Sequence, residues 1–78
     1  MTDFNRALEI IDRITENEPT NTMRLALRNM LAITNYQTPE DREYRYGFTQ
    51  ALYLMGKLTM AERDLLRTVK YHGEEVTA

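Results

Sequence analysis

Two prolines and three glycines are the only strong helix breakers in this chain, and all but Gly47 stand between periodic stretches. Proline cannot continue a helix, and glycine ends many of them. The segments between the breakers carry apolar residues at helical spacing, so the chain reads as all-α, a small bundle of about four helices.

The first helix is predicted over about 3–16. Thr2 serves as N-cap and Asp3 suits the positive end of the helix dipole. Phe4, Ala7, Leu8, Ile11 and Ile14 share one face with Ile10 on the flank, while Asn5, Glu9, Asp12 and Arg13 take the other. Pro19 ends it. The second helix is predicted over about 22–36, capped by Asn21 or Thr20. Its main face is Met23, Ala26, Leu27, Met30, Leu31 and Ile33, and Leu25, Ala32 and Tyr36 form a thinner line opposite.

The third helix is predicted over about 39–55. In TPED, residues 38–41, Thr38 caps, Pro39 takes the first helical position and two acids fill the first turn. Tyr44, Phe48, Ala51, Leu52 and Met55 form one face, with Leu54 beside it. Gly47, inside this helix, costs about 1 kcal/mol against alanine and suggests close approach by a neighbour. Gly56 supplies the left-handed stop. The fourth helix is predicted over about 60–72. TMAE, residues 59–62, is a capping box in which Thr59 and Glu62 satisfy each other's amides. Ala61, Leu65, Leu66 and Val69 face inward, Leu58 packs from the turn, and Gly73 is the stop. One domain over 1–73 with a frayed tail over 74–78 is expected.

The second and third helices are two-sided. Tyr46 and Tyr53, seven apart, lie roughly opposite the Phe48 face. Either the third helix is wrapped on both sides, or the tyrosines simply lie along the surface, or they border a second packing surface for another copy or a partner. Tyrosine suits such a surface because its ring buries area while its hydroxyl stays wet. Leu25, Tyr36, Tyr46, Gln50 and Tyr53 are the candidate interface residues.

Little here points to catalysis. Cysteine is absent, which removes thiolate nucleophiles, disulfides and Cys-based zinc sites and fits a reducing cytoplasm. The single histidine, His72, suits the C-terminus of a helix. No Glu-x-x-His pair or phosphate-cradling glycine loop occurs. Catalytic residues, cofactors, metals and small-molecule substrates are therefore not expected. No run approaches the ~20 apolar residues of a membrane span, and a signal-type N-terminus is lacking. Ten basic and twelve acidic residues leave a net charge of −2, too balanced for a generic nucleic-acid binder.

One basic stripe remains: Arg63, Arg67 and Lys70 at i, i+4 and i+7 on the fourth helix, candidates for contact with nucleic-acid phosphates. A helix-turn-helix reading of the preceding turn fits poorly. Lys57 follows Gly56 where an apolar residue is usual, and Met60, Arg63 and Asp64 are a poor base-reading set.

YGFTQALYLMGKLTMAERDLL, residues 46–66, resembles small all-helical accessory proteins of temperate enterobacterial, lambda-like phages. The resemblance implies a small host-modulating or regulatory protein that acts by contact rather than catalysis, often as an oligomer. It carries over no functional residues. The expectation is a non-enzymatic interaction protein that binds itself, a host protein or both. The alternative is a small DNA- or RNA-binding regulator using the basic face of the fourth helix.

Overall fold

A computed structural model describes residues 2–71. Four helices are present and, among the described residues, no strand: α1 (Asp3–Ile14), α2 (Thr22–Ile33), α3 (Pro39–Leu54) and α4 (Met60–Thr68). α1 packs on α2, α2 on α3 and α3 on α4, and α4 returns to α1, which closes a ring of four. Inside it Ala7, Ile10 and Ile11 of α1 meet Leu27, Met30 and Leu31 of α2, with Leu58, Leu66 and Val69 arriving from the last third of the chain.

The punctuation works largely as its chemistry dictates. The Thr2 hydroxyl accepts from the Asn5 amide at 3.1 Å. Thr38 and Asp41 form a reciprocal capping box, as do Thr59 and Glu62. Gly56 takes φ +77°, so that the Gly56 amide reaches the Tyr53 carbonyl and the Lys57 amide the Leu52 carbonyl. That pair of bonds is the Schellman stop, and any residue with a Cβ is strained there. At α2 the second of the two expected caps is the one used, since the Asn21 side chain makes no cap bond. The Thr20 hydroxyl instead accepts from the Thr22 amide at 3.4 Å.

The inward faces depart further. On α2, Met23, Ala26 and Ile33 are exposed, and Thr34 is buried beside Leu27, Met30 and Leu31. On α3 the buried side chains are Arg45 and Thr49. Phe48 and Leu52 are half-buried, while Tyr44, Ala51, Leu54 and Met55 face out. Gly47 does not mark a close approach, because a Cβ built there would meet nothing within 4 Å.

Arg45 explains the rotation of α3. Its guanidinium is fully buried and meets two helix C-termini at once. Nε donates to the Thr34 hydroxyl at 2.7 Å and Nη2 to the Leu31 carbonyl at 3.1 Å, both at the end of α2. Nη1 donates to the Leu66 carbonyl at 3.2 Å and to the Val69 carbonyl, both at the end of α4. Helix C-termini present unpaired carbonyls and partial negative charge, which suits a planar cation with several donors. Burial pulls the Arg45 pKa down, and Asp41 acts in the opposite direction.

These bonds also explain where α4 ends. It stops at Thr68 rather than near 72, with Val69 extended (φ −63°, ψ 140°). The chain then pairs with the α2–α3 loop: Asn35 donates to the Tyr71 carbonyl at 3.1 Å and accepts from the Tyr71 amide at 2.8 Å. His72, Gly73 and the expected tail over 74–78 lie outside the described residues.

Replacing Arg45 by alanine strands several buried carbonyls and leaves a cavity, at an expected cost of about 3–5 kcal/mol. That is most of the stability of a domain this small. Urea denaturation followed by circular dichroism should show loss of the cooperative transition in Arg45→Ala and a weakened one in Arg45→Lys. A wild-type midpoint in Arg45→Ala would refute the assignment.

Candidate functional site: the seam between α3 and α4

The five residues from Met55 to Thr59 turn the chain back on itself, so α4 runs antiparallel along α3. Tyr46, Gln50 and Tyr53 share one face of α3 at i, i+4 and i+7, and Arg63 and Arg67 share one face of α4 at i and i+4. The turn lays these two faces against each other. The Arg67 guanidinium sits 3.8 Å from the centroid of the Tyr46 ring, and that of Arg63 sits 4.7 Å from the Tyr53 ring. Gln50 lies between them: its Oε1 accepts from Arg67 Nη2 at 2.7 Å and from Arg63 Nη1 at 3.4 Å.

Both Nε groups are also engaged. Arg67 Nε donates to the Thr49 hydroxyl at 3.0 Å, and that hydroxyl donates to the Arg45 carbonyl at 2.7 Å. Arg63 Nε donates to Asp64 at 3.1 Å. Both arginine side chains are accordingly about five-sixths covered, at 17% and 16% exposure. Lys70 lies beyond the end of α4 and is exposed, so the expected three-residue stripe is a pair.

Of the candidate interface residues, the structure brings Tyr46, Gln50 and Tyr53 together in this seam. Tyr46 keeps 59% exposure at its outer edge, while Gln50 and Tyr53 are half-buried. Leu25 and Tyr36 stand on the outside of α2 and its following turn, 62% and 83% exposed.

A second cluster of charges lies between α1 and the start of α4. Arg13 donates from both terminal nitrogens to the two Glu62 oxygens, one of them at 2.9 Å. The same Glu62 accepts from the Thr59 amide at 2.9 Å. Arg6 and Glu9 complete the wall of a shallow cleft there. The Arg13 hydrogen bond is the main reason the Glu62 carboxyl is held down to about 2, and the same bond raises Arg13. This is a latch closing α4 onto α1, with its charges used against each other. Among the described residues no group of three or more His, Cys, Asp or Glu could hold a metal ion. No helix there is long and apolar enough to cross a membrane.

Sequence reasoning missed Arg45, the Glu62–Arg13 latch and the pairing of the two stripes. For the last, the spacing 46/50/53 facing 63/67 across a tight turn was the available signal. No family pattern, curated protein or solved structure matches this chain.

If the seam is a cation–π lock, a double-mutant cycle between Tyr46→Leu and Arg67→Met should give a coupling of about 0.5–2 kcal/mol. Additive effects would show that the stacking contributes nothing. The latch carries a pH signature. Because the folded Glu62 pKa lies below the ordinary 4.5, its contribution is complete above that value and is lost as pH falls toward 2. The melting-temperature gap between wild type and Glu62→Gln should therefore narrow over that window. A gap unchanged from pH 7 to pH 2 would rule the latch out.

Proposed function

We propose that this chain works by contact rather than catalysis, as a self-associating interaction protein of the accessory, regulatory kind that the resemblance over residues 46–66 implies. The observation that carries this reading is apolar surface left outside the ring of helices. Leu25, Ile33 and Tyr36 on the α2 side, and Leu54, Met55 and Met60 around the α3–α4 turn, are all more than half exposed. A small soluble domain pays for such exposure in solubility, and contiguous apolar patches mark interaction sites.

The nucleic-acid alternative would require Arg63 and Arg67 to leave Tyr53, Tyr46 and Gln50 before meeting a phosphate, so the geometry favours it less. A host protein remains a partner compatible with the same surface.

Size-exclusion chromatography with light scattering, run over a hundredfold range of concentration, tests the reading. The expected result is a mass that rises above one chain as concentration increases. A single-chain mass throughout would remove self-association.

A further inference from the structure

The outer face of α2 is laid out symmetrically about one residue. Leu27, Met30, Leu31 and Thr34 point into the core, which leaves the opposite side of the helix in solvent. On that side Asn29 is central, with Ala26 and Ala32 three residues to either side and Leu25 and Ile33 four residues to either side. If two such helices lie antiparallel across a twofold axis through Asn29, each Leu25 falls opposite the other copy's Ile33, and each Ala26 opposite the other copy's Ala32. Large residues meet large ones, and small ones let the backbones approach.

We infer that α2 docks against α2 of a second copy, with the twofold axis at Asn29. This deepens the self-association reading and rests on it. Two features of the face select a copy of itself as occupant, and a third sets how tightly it binds. The Asn29 side chain carries both a donor and an acceptor, so two of them related by a twofold axis bond reciprocally. A single asparagine in an otherwise apolar helix–helix seam is also a known way of setting register.

The second feature is charge. No acid occurs from Pro19 to Pro39, and the two cations of that stretch are held from behind by Asp12 of α1. Arg28 Nη2 lies 3.0 and 3.1 Å from the two Asp12 oxygens, and Arg24 Nε lies 3.5 Å from one of them. The face itself, Leu25, Ala26, Asn29, Ala32 and Ile33, therefore sets no charge against its own image, and it has little charge with which to recruit an acidic or basic partner.

The third is area. Three turns of helix cover on the order of half the ~800 Å² per partner of a standard stable interface. That predicts a weak dimer whose population follows concentration.

The full chain contains no cysteine, so one introduced thiol reports on one position. Asn29→Cys should form a disulfide-linked dimer rapidly in oxidised glutathione. Leu25→Cys alone should not, because the two copies of residue 25 would sit about 12 Å apart along the helix axis. A mixture of Leu25→Cys and Ile33→Cys should cross-link again. Asn29→Asp, at an exposed site that leaves the circular-dichroism melt of the monomer intact, should raise the dimer dissociation constant at least tenfold. Equal cross-linking at 25 and 29 would overturn the antiparallel axis. A dimer by light scattering that ignores Asn29→Asp and fails to cross-link through Asn29→Cys would overturn this face while leaving self-association standing. A monomer at every concentration would sink both.

Discussion

Everything in this fold is arranged around the Arg45 guanidinium. A charge taken fully out of water costs several kcal/mol unless it is met by good acceptors. Here the acceptors come from the ends of two different helices, and they are the groups those helices cannot satisfy themselves. The cation and the carbonyls solve each other's problem. The arrangement sets the roll of α3 about its own axis, since Arg45 must point inward. It sets where α4 ends, since the Leu66 and Val69 carbonyls are turned toward the same group. It also fixes α2 against α4, two elements far apart in sequence, through a side chain that belongs to neither.

Threonine supplies the rest of the interior polarity by one repeated device. The hydroxyls of Thr15, Thr34 and Thr49 each donate to the carbonyl four residues earlier, at Ile11, Met30 and Arg45. Such a bond hides the donor and leaves a lone pair free. Thr34 offers that lone pair to Arg45, and Thr49 offers it to Arg67. The inner bond to Arg45 and the outer stack on Tyr46 are thus linked through Thr49, whose hydroxyl accepts from Arg67 and donates to the Arg45 carbonyl. α4 is only nine residues long, too short to be stable alone. It is held on its inner side by Leu66 and Val69, at its start by Arg13 gripping Glu62, and along its flank by the tyrosine–arginine seam.

Helix count, order and most boundaries were legible in the sequence because they are local. Thr38-Pro39, Gly56 and Thr59-Glu62 state their roles within four residues of themselves. The inward face of α3 was not legible. An arginine between two tyrosines reads as a solvated residue, and what makes it internal is carbonyls at positions 31, 66 and 69. Backbone carbonyls carry no residue signature, so nothing in the pattern marks them as a cation site. The lack of a clean apolar face on α3 was the one trace of it. The seam is intermediate. Both stripes and the turn joining them were visible, and only their mutual pairing, a tertiary fact, was not. Leu25 and Tyr36 share with Tyr46 and Tyr53 only a place opposite the main face of their helices; the structure leaves the first two in solvent and stacks the other two against Arg67 and Arg63.

The distribution of polar groups bears on function as well. In most small domains charged side chains face water and apolar ones are hidden. Here many of the side chains that could do chemistry are spent on structure: Arg45 on helix ends, Arg63 and Arg67 on tyrosines and Gln50, Arg13 on Glu62, and Arg28 on Asp12. Arg63 and Arg67, each hydrogen-bonded and stacked on a tyrosine, have to break those contacts before they can bind a phosphate, and breaking them loosens α4. Catalysis or phosphate binding by these residues would thus be bought with the fold itself. The outer face of α2 carries no such conflict. Leu25, Asn29 and Ile33 can be covered or uncovered without disturbing a bond that holds the ring of helices together, so the association proposed there does not compete with the fold.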